Sequence, residues 1–279
     1  MQIGLICGES AGLLSIKKIL NIKKIKITFI VSANKKYNRI IKNICSRNKI
    51  IFFNEKQFKK KKIEFYLKNI DYLLSVFSNI IVPKNYLSMP KQMCINLHPA
   101  ILPFYRGINV ISGVIYNKES ITGLTLHKME ERIDSGKIIL IKEININNNE
   151  TALSLINKLK KKVPSLINFF FNNKIKKNKI LLHSNNLNLC KKFPKYIPNN
   201  GLINLSKNAL EILNIFKASY YGPYTSSWGK LKININNINY IIKDLRILRG
   251  KNKLQKKIEK INKNEYMLQS KDKILKITI

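Results

Sequence analysis

Acidic residues are scarce in this sequence: Asp and Glu number 15 against 52 Lys and Arg, so the 279-residue chain carries a formal net charge of +37. Such a chain sets up a long-range positive field that suits a polyanion such as RNA, DNA or a membrane surface. Lys is nevertheless spread over the whole length, and Lys, Asn and Ile fill nearly half of the chain. A translated AT-rich genome gives the same composition, so the charge names no partner. The four cysteines (Cys7, Cys45, Cys94, Cys190) lie far apart without a CxxC pair, which speaks against a disulfide framework and against a zinc knuckle. No 18 apolar residues run unbroken, so no transmembrane helix and no membrane partner are expected. Met1 to Cys7 is too short for a secretory signal and has no basic residue before it. Gly8-Glu9-Ser10-Ala11-Gly12 is neither GxGxxG nor a Walker loop, which argues against a dinucleotide site there. No internal repeat occurs. A cytoplasmic soluble protein is the expectation.

What the sequence does contain is alternation. Short apolar runs at Ile3 to Cys7, Ile25 to Val31, Ile50 to Phe53, Asp71 to Phe77 and Met93 to Leu97 are separated by helical patterns, including one over Lys56 to Leu67. Alternating strands and helices indicate βαβ units with a parallel sheet covered on both faces. Ile121 to Met129 and Lys137 to Ile146 are consecutive β-rich stretches and predict an antiparallel excursion. Thr151 to Phe171 reads as a long helix with Pro164 as a candidate break. The Lys/Asn-rich stretch from Asn172 to Pro198 reads as a connector. Beyond it come a short strand at Gly201 to Leu205, a helix over Ser206 to Ser219, and several short β-like runs from Lys230 to Ile279. The fold class is therefore α/β: a Rossmann-like, mostly parallel sheet with helices on both faces, then a small β-rich C-terminal domain.

Ligands of open α/β sheets lie outside the carboxyl ends of the strands. The Met93 to Leu97 run ends in Asn96-Leu97-His98-Pro99. Period two puts Asn96 and His98 on one side, and Pro99 holds His98 extended. Histidine is rare (His98, His127, His183), and so is aspartate (Asp71, Asp134, Asp244, Asp272), so few His–Asp arrangements are available. Asp134 beside His98 would raise the imidazole pKa and stabilise the imidazolium. Arg106, within Phe104-Tyr105-Arg106-Gly107, can grip an anionic or oxygen-rich ligand with its planar fork. Each has a plainer counterpart: a strand end satisfying its own backbone, a surface arginine, a turn aspartate before Ser-Gly, and a half-buried structural histidine at His127.

The segments INLHPAILPFYRG, TGLTLHKM and IDSGKII, in this order and spacing, resemble the folate-dependent formyltransferases. The strong resemblance runs from about Asp71 to Ile144. A weaker one covers NNGLINLSKNALEILNIFKASYYGPY, similar to the start of that family's C-terminal domain. The resemblance implies a catalytic domain over 1–185, a linker over 186–200 and a small OB-like C-terminal domain over 201–279. It implies Asn96, His98 and Asp134 as the catalytic set. It also implies 10-formyltetrahydrofolate as donor, held near Ser78, Asn79 and Ile81 and near Met129, Glu130 and Arg132. Tyr105, Arg106, Gly107 and His127 are then candidates for binding the acceptor, and no metal is required. In that chemistry a neutral amine attacks the formyl carbon. Asn96 and a charged His98 would stabilise the oxyanion, with Asp134 keeping His98 charged and relaying the proton.

The acceptor is less legible. Methionyl-tRNA formyltransferases usually carry Gly-Thr-Pro after the first strand and Ser-Leu-Leu-Pro after the Asn-x-His. Here these are Gly8-Glu9-Ser10 and Ala100-Ile101-Leu102-Pro103. Leu126-His127-Lys128-Met129 is more similar to small-amine members, so an amino sugar on a nucleotide carrier is expected first. Methionyl-tRNA is the alternative, kept open by the basic charge. A non-catalytic RNA-binding module with the same fold is a third reading.

Overall fold

In the computed structural model, which describes residues 1–60, 62–175, 182–250 and 253–279, the first apolar run forms β1 (Gln2–Cys7) and leads into α1 (Glu9–Leu20). The alternation continues through β2 (Lys26–Ser32), α2 (Asn38–Arg47), β3 (Ile51–Asn54), α3 (Glu55–Phe58), α4 (Ile63–Lys68), β4 (Tyr72–Val76) and β5 (Met93–His98). After α5 (Val110–Tyr116) come β6 (Ile121–Lys128), β7 (Ile138–Asn145) and α6 (Ala152–Ile175). The seven strands form one sheet in the order β3-β2-β1-β4-β5-β6-β7. β1 to β5 pair in parallel, and β6 turns antiparallel to β5. All of β4, and β1 after Gln2, are buried. Strands covered on both faces read as unbroken apolar runs, which is why these were visible without alternation.

Three expectations are corrected. The helix over Lys56 to Leu67 is two short helices, α3 and α4, parted by four consecutive lysines of like charge, of which residue 61 lies outside the described residues. α3 starts where it does because Asn54 and Gln57 form a reciprocal capping box. Pro164 does not break α6, which runs through it. Leu159, Val163, Leu166 and Ile167 around it are buried. At roughly 1.5–3 kcal/mol each, they outweigh the cost of about 3 kcal/mol for an internal proline. Finally, Gly201 to Leu205 is no strand. Asn199 and Asn200 adopt left-handed backbone after Pro198, leaving one isolated bridge from Leu202 to Lys232. Of the Asn172 to Pro198 connector, residues 176–181 lie outside the described residues.

The chain groups into two compact units. The first comprises Met1–Gly107, Thr122–Ile144 and Asn157–Cys190, and the second Ile108–Ile121, Asn145–Ile156 and Lys191–Ile279. In the first unit a core of Phe29, Phe53, Phe58, Ile63, Leu67 and Leu73 packs on one face of the sheet. The second unit joins α5 and α7 (Ala209–Ser219) to two antiparallel sheets. One is the hairpin of β8 (Lys232–Ile235) and β9 (Ile238–Ile241), turned by left-handed Asn236 and Asn237. The other orders β10 (Asp244–Ile247), β13 (Ile274–Thr278), β12 (Glu265–Gln269) and β11 (Ile258–Lys260) in that sequence. Trp228 is fully buried there, and its Nε1 donates to the Pro194 carbonyl at 2.8 Å.

A candidate active site at the carboxyl end of β5

β5 is flanked by β4 on one side and β6 on the other, so its side chains meet neighbours in a fixed register. Asn96 lies opposite His127 on β6, and His98 opposite Thr125. Residues i and i+2 share a face, and two polar pairs therefore assemble at the end of β5. The Asn96 amide Nδ2 is 3.1 Å from His127 Nε2. Thr125 Oγ1 donates to the Ala100 carbonyl at 2.7 Å and accepts from the Leu102 N–H at 3.1 Å. These bonds fold the loop after Pro99 back over the strand end. The Tyr105 carbonyl then accepts from His98 Nε2 at 2.8 Å. The Tyr105 ring itself is buried.

Asp134 enters from the loop between β6 and β7, in left-handed backbone with φ 51°. Gly136 lets that loop close: a Cβ there would sit 2.0 Å from the Lys128 carbonyl. Asp134 Oδ2 lies 3.4 Å from His98 Nδ1 and accepts the Gly107 N–H at 2.9 Å. Its Oδ1 lies 3.3 Å from His127 Nε2 and 3.5 Å from Asn96 Nδ2. Arg106, expected to face a ligand, donates through Nε to the Asp134 carbonyl at 3.1 Å and through Nη2 to the Ile133 carbonyl. In this structure its fork holds the loop.

Protonation follows from burial. His98 and Asp134 are 4% and 8% exposed. Burial pushes the His98 imidazole below its ordinary value. The Asp134 carboxylate and the Tyr105 carbonyl pull it upward, but nearby His127 and Arg106 lower it again. His98 thus rests neutral at neutral pH, with its proton on Nε2, because a carbonyl only accepts. This corrects the expectation of a resting imidazolium: desolvation outweighs the carboxylate. Burial alone would raise Asp134, yet His98, His127 and the Gly107 N–H outweigh it and hold the carboxyl below the usual range. An ionised Asp134 therefore faces the free Nδ1 of a neutral His98, and a proton arriving at Nδ1 is stabilised at once.

The residues expected to hold a donor come from two segments that the fold joins. Ile80, Val82 and Met129 pack around one apolar cluster, and Lys84 pairs with Glu131 at 2.7 Å. Ser78 is half-buried, its Oγ accepting the Ile80 N–H at 3.0 Å. Asn79, Ile81, Glu130 and Arg132 are exposed. Two residues that sequence reasoning passed over also touch the site. Thr125 was signalled by its place two residues before His127 on the same strand face. Asn185, whose amide reaches the Asp134 loop, carried no signal, being one asparagine in an Asn-rich connector. Among the described residues no group of three or more His, Cys, Asp and Glu side chains could hold a metal ion, and no helix is long and apolar enough to cross a membrane.

With this geometry in place, comparison with known proteins assigns the class. The family described as formyl transferase matches residues 17–168, more than half of the chain. The chain belongs to the formyl transferase family. It is 33% identical over 179 residues to the methionyl-tRNA formyltransferase of Wigglesworthia glossinidia brevipalpis, covering 60% of this chain and 55% of that protein. It is 39% identical over 88 residues to the GDP-perosamine N-formyltransferase of Brucella melitensis, covering 32% and 34%. The chain thus spans about half or less of the length of these two curated relatives. Its fold matches the N-formyltransferase of Helicobacter canadensis, solved with folinic acid and dTDP-3-aminofucose. The TM-score is 0.70 and the identity 20%, with 99% of this chain and 98% of that chain covered.

Proposed function

We propose that this protein transfers a formyl group from 10-formyltetrahydrofolate to a primary amine, with Asn96, His98 and Asp134 as its catalytic residues. The observation that carries the reading is the ionised Asp134 carboxylate, buried between His98 and His127 and within reach of Asn96, at the carboxyl end of β5. The reaction forms a bond from the amine nitrogen to the formyl carbon and breaks the bond from that carbon to the donor nitrogen. The proton lost by the amine ends on the departing tetrahydrofolate nitrogen.

Each residue has a task in that scheme. Neutral His98 accepts the amine proton at Nδ1, and Asp134 stabilises the imidazolium so formed. Asn96 supplies an amide N–H to the formyl oxygen as negative charge develops there. Its contact to Asp134, at 3.5 Å, is the longest in the cluster and the cheapest to give up. His127 keeps Asn96 oriented, because its own Nδ1 is fixed on the Lys128 carbonyl at 2.8 Å. The donor's flat ring suits the segments around Ser78 to Val82 and Met129 to Ile133. There Ile81 and Ile133 present exposed apolar side chains.

For the acceptor, the favoured reading is an amino sugar on a nucleotide carrier. It is supported by the Leu126-His127-Lys128-Met129 segment, by the stretch shared with the Brucella enzyme and by the Helicobacter protein's bound sugar nucleotide. Methionyl-tRNA is the second reading, favoured by the longer aligned stretch with the Wigglesworthia enzyme and by the charge of +37. The test is incubation with 10-formyltetrahydrofolate and either a panel of amino-sugar nucleotides or charged initiator tRNA, reading tetrahydrofolate release. A sugar nucleotide should give a shallow salt dependence, whereas tRNA should give a steep one. Release with neither acceptor, or release unaffected by His98→Ala, would overturn the proposal.

A further inference from the structure

We propose that Asn185, in the segment that follows α6, is a positioning residue that sets the distance between Asp134 and His98. This inference rests on the catalytic reading of that pair. Asn185 Nδ2 donates to two main-chain carbonyls at once, those of Asp134 and Gly136, both at 3.0 Å. Only the nitrogen end of an amide can serve two carbonyls, so the orientation of the side chain is fixed by chemistry. The opposite end, Oδ1, is buried.

The need for such a clamp is physical. Asp134 sits in left-handed backbone, a conformation unfavourable for a residue other than glycine and kept by the contacts around it. Arg106 grips the loop from one side, through the Ile133 and Asp134 carbonyls. Asn185 grips the Asp134 carbonyl from a segment remote in sequence and adds Gly136, one residue beyond Ser135. Its own anchorage is firm. His183 exchanges both main-chain hydrogen bonds with Ile138 at the start of β7, at 2.8 and 3.0 Å, two residues before Asn185. The loop bearing the carboxylate is thereby tied to the sheet through a second, independent route. Releasing it lets Asp134 drift from Nδ1 of His98, and His98 loses the carboxylate that faces it. The other groups facing that ring are His127, the Arg106 guanidinium and the Tyr105 carbonyl.

The experiment uses the full chain labelled with 15N-histidine. The imidazole nitrogens are followed against pH in the wild type and in Asn185→Ala, Asn185→Leu, Asn185→Gln and Asp134→Asn. Asn185→Leu removes both donors without adding charge and fills the same space, which guards against collapse of the alanine variant. In Asn185→Ala and Asn185→Leu the His98 midpoint should move to lower pH, toward the value in Asp134→Asn. Asn185→Gln should recover part of the difference. With an active acceptor, kcat should fall by up to about 10²-fold while the folate KM stays within about 2-fold. A His98 midpoint unmoved in folded Asn185→Leu would overturn the proposal, whatever happens to the rate. If the wild type transfers no formyl group, the catalytic reading fails, but the histidine titration still decides whether Asn185 positions Asp134.

Discussion

β1 and β5 leave the same edge of one sheet, and the register places Cys7, Val76 and Leu97 in a single row across β1, β4 and β5. The residues that follow differ in kind. At the end of β1, Gly8 presses on the Phe77 carbonyl, where a Cβ would lie 1.8 Å away. Glu9 then turns outward, 44% exposed at its side chain, to pair with Lys160 at 2.6 Å. At the end of β5, His98 and Asp134 are buried, and Asp134 is held by His98, His127 and the Gly107 N–H. The general rule puts ligands of such sheets where the strand order reverses, which here is between β1 and β4. The densest chemistry lies one strand further on. What distinguishes the two places is water. An ion pair that is partly open to water, as Glu9 is here, can exchange contacts for solvent and contributes about 0–1 kcal/mol. A buried carboxylate cannot, and its partners dictate its charge.

That contrast can be broken most directly at its strong end. His98→Ala and Asp134→Asn should each lower kcat/KM for formyl transfer by roughly 10²–10⁴-fold, with thermal unfolding confirming that the variants fold. Asn96→Ala comes next. Loss of one donor to a developing oxyanion should cost about 10²–10³-fold in kcat and leave the folate KM nearly unchanged.

The pH response sharpens the comparison. Because the lowered His98 value lies beneath the ordinary 6.5, the acid limb of kcat/KM should fall below that pH. The native state resists protonating His98, while the unfolded chain takes up the proton near 6.5. Stability should therefore decline as pH drops below about 6.5 and decline further as Asp134, depressed in the native state, is protonated. His98→Gln should flatten the first part of that decline in a melting-temperature profile. The smallest effect belongs to the other strand end. Glu9→Gln should change stability by less than about 1 kcal/mol and kcat by less than about 2-fold. A loss at Glu9 as large as that at Asp134 would show that the two strand ends work as one site.

Much of the fold was legible because buried parallel strands leave short apolar runs that alternate with helical patterns. Asn96 and His98 were legible for the same reason, as polar residues at period two where such a run ends. Asp134, by itself a turn residue before Ser-Gly, was marked as their partner by the family resemblance. Arg106 was read for its chemistry, yet its fork meets carbonyls, and main-chain carbonyls leave no trace in a residue pattern. Asn185 was hidden by composition, because an asparagine among many is silent until its neighbours in space are known. Pro164 misled in the opposite sense, since local propensity cannot weigh the four buried side chains around it.

The order of amino acids alone determined the alternating scaffold, the family resemblance and the chemical types standing at the rim of β5. Tertiary structure decided the electrical state of those groups. Whether an imidazole is charged depends on how much water reaches it and on what faces each nitrogen, and both come into being only when the strands, the β6–β7 loop and the segment after α6 have closed around it.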